Sequence, residues 1–504
     1  MPEEDRLPIV YVRGFAGDTA GINNVVEDPF YGFNEGSTHI RVGPDNRPVF
    51  HQFESPLLRL HLDEGYQILV RGGQEAYLDT HDHVPPASIW IHRFYDVCAS
   101  TWESRPERFR LEEAALDLLR LIEKLRDRTG APRVHLVAHS MGGLVCRCLL
   151  QKILPDLGRD PTDCVDKLFT YGTPHGGIAF DVGFGVLERV RDAIGINGAE
   201  IFGPRRMYEY LTPKAEFDPD GPPEDWSARE MPERAGAFPR RRVFCLVGTD
   251  PADYEVALGL AASAVGARSD GLVQIENAYV PGAHRAYVHR SHSGRYGLVN
   301  SEEGYQNLRR FLFGDRMVEA ELVDHSLPTE EGEVSWQAEL SLSVRGLPVV
   351  MDERLASHWC PVQIPAPPPG GTPDGRLPLA TVFLDSDLSR PAGSSTMRYA
   401  LHLRLLSLRE RRGILRFGDH LEQVADFDDI LVVDIPTGAG GPGVRAAWNS
   451  LIPGAIRDHE PSGTLLGDED PRSGVWVGHV PLPPSADPIL GGRARIRLSV
   501  TPWA

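Results

Sequence analysis

The sequence predicts an α/β domain on a mostly parallel sheet, followed by a C-terminal all-β, sandwich-like domain. Three observations predict this. The chain has 504 residues, too many for one compact core. Up to about Gly314, short apolar runs alternate with helix-period segments, as in strands and helices layered on one sheet. Beyond that point the period falls to two and turn-rich spacers separate the runs, as in antiparallel strands. The expected domains are residues 1–315 and 316–504.

In the first domain "LPIVYV" (7–12), "SIWIHRF" (88–94), "RVHLVA" (133–138), "KLFTY" (167–171), "RVFCLV" (242–247) and "AYVPG" (278–282) read as strands. The fully apolar ones suit a parallel sheet buried on both faces. Between the second and third, Ser104 and Glu107 form a capping box around Pro106, which predicts a helix start. Leu111, Ala115, Leu118, Ile122 and Leu125 make its apolar stripe. Arg126 and Arg128 suit its negative end, and Gly130 and Pro132 stop it. A second helix starts after Ser301, with Tyr305, Leu308, Phe311 and Leu312 on one face. A Pro/Gly/charge-mixed excursion, about 178–240, carries a helical patch at Val186, Val190 and Ile194. Its place after a strand end suggests a lid over a site, with a plain surface excursion as the alternative.

In the second domain Trp336, Ala338, Leu340, Leu342 and Val344 share one side of a strand. Tyr399, Leu401, Leu403 and Leu405 repeat the pattern, as do Ala494, Ile496, Leu498 and Val500, with arginines and Ser499 facing out. Spacers such as "PAPPPGGTPDG" (365–375) and "PTGAGGPG" (436–443) separate the runs, and no helix is expected there. Together these read as a sandwich.

The formal net charge is -19, which argues for solubility and against nucleic acid or anionic membrane surfaces as electrostatically steered partners. "MPEEDRLPIV" has no apolar signal region. "VALGLAASAVGA" (256–267) is too short to span a bilayer. Six cysteines lie scattered, and Cys146 and Cys148 would point apart on a helix. A reducing cytoplasm is the expected compartment.

The chemistry centres on "VHLVAHSMGGLVCRCLL", Val134 to Leu150. A strand turning sharply into a helix around a serine is a nucleophile elbow, which needs small residues two before and two after. Ala138, Gly142 and Gly143 meet that need around Ser140. An oxyanion hole needs two backbone N–H groups. Met141, next after Ser140 at a helix N-terminus, supplies one; Phe15, in the "YVRGFAG" loop (11–17), supplies the other. The base should be a later histidine, and "PGAHRAYVHRSHSGRYGLVNSEEGY" offers His284, His289 and His292. His292, on a Ser/Gly-flanked loop before the last helix, is the choice by loop placement. The orienting acid is Asp250, directly after a strand, or Asp270, in the turn "SDGLV". "LDTHDHVPP" holds Asp79, His81, Asp82 and His83, but the spacing of the histidines fits no standard zinc pattern. No metal and no cofactor are expected.

"YVRGFAG", "AHSMGG", "YGTPHGG" (171–177), "SDGLV" and "SHSGRYG" follow one another in the order seen in lipases and esterases of the α/β-hydrolase superfamily. The chain resembles bacterial lipases with an Ala-x-Ser-x-Gly elbow and the lipase-like group that includes GPI inositol-deacylases, over roughly Leu7 to Phe313. The resemblance implies an α/β-hydrolase fold, with Asp270 as triad acid and His292 as triad histidine. It also implies that Thr173, Pro174, His175 and Gly177 are structural residues near the site. Arg13 departs from it, since a histidine usually precedes the oxyanion glycine.

The expected function is a serine carboxylester hydrolase acting on an ester or lipid-like small molecule. The apolar pocket would be lined by the 178–240 insertion and by 257–265. The alternatives are an acyltransferase on the same scaffold and a catalytically silent binding protein. The C-terminal β-domain braces the hydrolase or binds a partner that the sequence does not specify.

Overall fold

The computed structural model describes residues 6–14, 37–42, 48–53, 55–68, 74–92, 94, 110–178, 201–252, 268–328, 334–365, 375–388, 395–411, 420–437, 443–452, 464–469 and 474–503. The chain divides into two compact units. One comprises Met1–Arg285 and His289–Tyr305, and the other Ala286–Val288 and Gln306–Ala504.

The elements of the first part of the chain are β1 (Ile9–Val12), β2 (Ser37–Val42), β3 (Pro48–Phe53), α1 (Pro56–Glu64), β4 (Gln67–Ile68), α2 (Gln74–Thr80), β5 (Ser88–His92) and α3 (Leu111–Thr129). Then come β6 (Val134–His139), α4 (Met141–Cys148), α5 (Leu154–Asp156), β7 (Val165–Tyr171), α6 (Pro204–Leu211), β8 (Val243–Gly248), β9 (His284–Val288) and α7 (Glu302–Phe313). Strands β2 and β3 form a separate antiparallel pair. The remaining strands make one sheet in the order β4-β5-β1-β6-β7-β8-β9. Its pairs from β4 through β8 are parallel. Every residue of β1, β5, β7 and β8 is buried, as expected for strands covered on both faces.

Chain order and sheet order fix where a site can form. From β1 the chain moves outward to β4 and β5, then crosses back through α3 to β6 on the other side of β1. The order therefore reverses between β1 and β6. In open α/β sheets the crevice beyond the strand carboxyl ends at such a point is where ligands bind. Gly14 follows β1 there, and Ser140 follows β6.

Local structure explains the elements. In α3 the residues Leu111, Ala115, Leu118, Ile122 and Leu125 are all buried, and Gly130 closes it in the left-handed region at φ 71. The described helix opens at Arg110, which gives no side-chain cap; Ser104, Pro106 and Glu107 lie outside the described residues. After α4 the chain widens into a π turn, Leu149–Ile153. Pro155 follows and has no N–H for the carbonyl four residues back, so the ladder loosens before it.

One strand expectation is corrected. "AYVPG" (278–282) is not a strand: Pro281 lacks a donor, Gly282 takes φ 78, and the Ala283 amide turns back to the Val280 carbonyl at 3.1 Å. The strand forms later, at His284–Val288. The described part of the 178–240 excursion, from Ile201 on, is held by buried or partly buried cations of α4 and the turn after it. The guanidinium of Arg147, fully buried on α4, donates to the carbonyls of His175 (3.0 Å), Ala228 (2.7 Å) and Glu230 (2.8 Å). Lys152 donates to the Thr212 carbonyl at 2.8 Å. The patch at Val186, Val190 and Ile194 lies outside the described residues.

The second part of the chain is all-β, a two-sheet sandwich. Its strands are β10 (Arg316–Val323), β11 (Val334–Val344), β12 (Val350–Arg354), β13 (Val362–Ile364), β14 (Leu377–Leu384), β15 (Thr396–Arg411), β16 (His420–Pro436), β17 (Arg445–Trp448), β18 (Thr464–Leu465), β19 (Trp476–Pro481) and β20 (Arg495–Pro502). One sheet runs β14-β10-β20-β19, and the other β12-β11-β15-β16-β17-β18 with β13 beside β11. The inward rows of both sheets, including Val318, Leu498, Leu340, Leu403 and Leu431, share one core. The outward row of β20 pairs with acids around β10: Arg495 with Asp324, Arg497 with Glu321, and the Ser499 hydroxyl with Glu319 at 3.3 Å. One short helix, α8 (Asp487–Leu490), is present where none was expected; it places Ile489 and Leu490 in the core.

Candidate active site

Ser140 occupies the turn between β6 and α4 with φ 53 and ψ −130, a conformation that a non-glycine residue adopts only under constraint. The constraints are explicit. The Ser140 amide donates to the Tyr171 carbonyl at 2.9 Å, and the Gly143 amide donates to the Ser140 carbonyl at 3.1 Å. The Thr173 hydroxyl donates to the same carbonyl at 2.9 Å. The small residues are needed because space is absent. A Cβ on Gly142 would stand 2.1 Å from the Val12 carbonyl oxygen, and one on Gly143 would stand 2.1 Å from Thr173 Oγ1. Ala138, two before the serine, is fully buried.

His292 and Asp270 come from loops late in the chain. His292 Nε2 is 2.9 Å from Ser140 Oγ, and Nδ1 is 2.8 Å from Asp270 Oδ2. A carboxylate only accepts, so Nδ1 carries the ring proton and donates it. Nε2 is then left as the acceptor for the Ser140 hydroxyl. The other carboxylate oxygen, Asp270 Oδ1, accepts the amides of Leu272 (3.1 Å) and Val273 (2.8 Å). The backbone joins the same pair, since the His292 amide donates to the Asp270 carbonyl at 2.8 Å. The three side chains are buried: Ser140 is 6% exposed, His292 2% and Asp270 1%. The low local dielectric strengthens every bond among them.

The other candidates lie elsewhere. Asp250 closes its own turn, with Oδ1 accepting the Ala252 amide at 2.9 Å. His289 Nδ1 is 3.3 Å from Thr249 Oγ1. His284 is buried on β9, and burial pushes its ring down to about 4. His175 is fully buried, 3.2 Å from Thr170 Oγ1, and burial pushes it well below the usual imidazole range. His81 follows α2, its Nδ1 2.9 Å from the Tyr77 carbonyl, which only accepts. Among the described residues no group of three or more His, Cys, Asp or Glu is placed to hold a metal ion.

Met141 opens α4, so its amide belongs to the first turn, whose N–H groups have no intrahelical acceptor. Phe15 and residues 257–265 lie outside the described residues. Gly14, just before Phe15, brings the loop after β1 against the nucleophile: a Cβ there would stand 2.7 Å from Ser140 Cβ.

Two residues at the site go beyond those singled out from the sequence. Gly172, at φ 51, leaves room for the Asp270–His292 bond; a Cβ there would stand 2.9 Å from Asp270 Oδ2 and 3.0 Å from His292 Nδ1. The signal was its place after the buried strand β7, in "YGTPHGG". His139, the residue before Ser140, has Nε2 2.9 Å from the His292 carbonyl. Its ring lies 4.8 Å, centroid to centroid, from that of His292.

A family profile described as the alpha/beta hydrolase fold matches residues 83–180, which span β5, α3, β6, the Ser140 turn, α4 and β7. No protein of curated function matches the sequence. Solved structures similar to this chain include the mature form of a Bacillus licheniformis lipase, at 14% identity and a TM-score of 0.34, covering 62% of this chain and 93% of that one. A protein from Listeria innocua is 14% identical with a TM-score of 0.25, over 61% and 94% of the two chains. A putative cell surface hydrolase from Lactobacillus plantarum is 11% identical with a TM-score of 0.27, over 61% and 92%. The matched segment and the parallel sheet that contains it show an α/β-hydrolase fold in the first part of the chain.

Proposed function

We propose that this chain is a serine carboxylester hydrolase, of the lipase or esterase kind, acting on acyl or lipid-like esters. The observation that carries the reading is the unbroken line Ser140 Oγ, His292 Nε2, His292 Nδ1, Asp270 Oδ2, with the serine on a strained turn at a helix start. Ser140 attacks the ester carbonyl carbon while its proton passes to His292 Nε2. The amides of Met141 and Phe15 hold the oxyanion that forms. The tetrahedral species collapses, and His292 returns the proton to the departing alcohol. Water then attacks the acyl-enzyme with His292 again as base, releasing the acid and freeing Ser140. Asp270 holds the proton on Nδ1 throughout and stabilises the imidazolium.

The five described cysteines are free and buried, which supports the reducing cytoplasm as the compartment. Among the described residues no helix is long and apolar enough to cross a membrane.

The test is labelling by a fluorophosphonate, which reacts only with an activated serine, together with hydrolysis of p-nitrophenyl esters of increasing acyl length. The wild type should label and turn over, and Ser140→Ala should do neither. Labelling or turnover retained by Ser140→Ala removes the reading.

A further inference from the structure

Besides its bond to Ser140, His292 makes three hydrogen bonds that bear on its position. Its amide donates to the Asp270 carbonyl at 2.8 Å, and its Nδ1 donates to Asp270 Oδ2 at 2.8 Å. The third is at its carbonyl, 2.9 Å from His139 Nε2. A carbonyl only accepts, so His139 carries its proton on Nε2 and donates it. The first two anchors come from Asp270, on the same late stretch of chain. The third comes from β6, one residue before the nucleophile.

The ring of His139 is placed to do this. It packs at 39° to the His292 ring, and its Nδ1 lies 3.2 Å from where a Cβ on Gly14 would stand. Burial above all, with the neighbouring His292 adding to it, pushes its ring down to about 3. It is therefore neutral when His292 accepts a proton, and its charge does not oppose the imidazolium.

We infer that His139 is a positioning residue for the base: its Nε2–H fixes the His292 main chain to the strand that presents Ser140 and so sets the distance between His292 Nε2 and Ser140 Oγ. The inference rests on the catalytic reading of Ser140, His292 and Asp270. The amide and carbonyl of His292 are both hydrogen-bonded and its Nδ1 is held by Asp270, so main chain and ring are anchored together. Removing the β6 anchor frees the carbonyl end, and a misplacement near 1 Å at reacting atoms costs on the order of 10²-fold in rate.

The experiment compares His139→Leu, which fills space without a donor, with His139→Gln, whose amide nitrogen lies the same number of bonds from Cα as Nε2. His139→Leu should label with fluorophosphonate about 10- to 100-fold more slowly, with kcat lowered and KM unchanged. His139→Gln should regain most of the lost rate. Wild-type labelling in His139→Leu, or equal slowness of the two variants at equal thermal stability, overturns the inference. Should His139→Leu not fold, the wild type still decides through ring nitrogen NMR. The His139 ring should keep one neutral, Nε2-protonated form from about pH 5 to pH 9. A ring that titrates in that range, or carries its proton on Nδ1, overturns it as well. Ser140→Ala separates the two readings. Labelling that survives it refutes the catalytic reading; labelling lost there but unchanged in His139→Leu refutes only the positioning role.

Discussion

Replacing Gly172 with alanine perturbs the site at its tightest point. The new Cβ would stand 2.9 Å from Asp270 Oδ2, 3.0 Å from His292 Nδ1 and 3.0 Å from Leu298 Cδ1, where ordinary contact begins at 3.4 Å. Two of these three atoms are the partners of the Asp270–His292 bond itself. Two costs follow. An alanine held in the left-handed region loses roughly 1–2 kcal/mol. The methyl also has to push the carboxylate and the ring away by several tenths of an ångström each, turning Nε2 off the serine. A shift of that kind costs about 10- to 100-fold in rate. Gly130 is a matched control: it too is left-handed, at φ 71, but a Cβ there meets nothing within 4 Å. Gly130→Ala should lose the same roughly 1–2 kcal/mol in urea denaturation and keep its activity. Gly172→Ala should lose at least as much stability, and its fluorophosphonate labelling should slow as well. If the two variants label equally fast, Gly172 is not the spacer of the Asp270–His292 pair.

Three further perturbations have defined outcomes. Asp270→Asn keeps an oxygen for the Leu272 and Val273 amides but offers Nδ1 a donor in place of an acceptor, so kcat should fall about 10³- to 10⁴-fold; Asp250→Asn should stay near wild type, and the reverse ranking in ester turnover would move the acid to Asp250. His92 is buried against the Ala114 carbonyl at 2.8 Å, and burial pushes it down to about 4 from 6.5. Its unfolded state therefore binds a proton first, so stability falls as pH drops from about 6.5 to about 4, by roughly 3 kcal/mol in all. His92→Gln should flatten urea-unfolding free energy over that window, and an unchanged slope would refute the assignment. Arg147→Met strips the donors from the carbonyls of His175, Ala228 and Glu230; at about 1–3 kcal/mol for each buried group left unpaired, a loss near the top of the single-mutant range is expected. Proteolytic nicking around 228–230 should appear with it, and denaturation matching wild type would show the clamp to be dispensable.

Legibility followed the range of the physics involved. Buried strands such as β7 and the stripe of α3 announce themselves through hydrophobic period, which is local. The Ser140 turn is equally local, since the need for small neighbours is met within five residues. The spacing roles of Gly14 and Gly172 depend on which loops the fold brings together, and a glycine in sequence does not say what would collide with its Cβ. His139 reads as one variable residue of the elbow; only the return of the chain at residue 292 gives its Nε2 an acceptor. Asp250 against Asp270 stays open on residue evidence because Asp250 directly follows a strand while Asp270 sits in a turn, and either place suits an orienting acid. The amides of Leu272 and Val273 distinguish them, and those lie in a turn whose shape is set by tertiary contacts. "AYVPG" misled because Val280 is core without being strand.

The Ser140–His292 bond closes a loop of 152 residues. Loop closure of that length is entropically costly, and contacts so far apart in sequence form late. The nucleophile and its helix are synthesised well before the histidine loop exists. A nascent chain therefore carries an unarmed serine until the stretch through residue 292 has emerged and docked. In the proposed chemistry, arming of the nucleophile is a checkpoint on completion of the fold. Chains stalled or truncated before that point would have an elbow but no base to activate it.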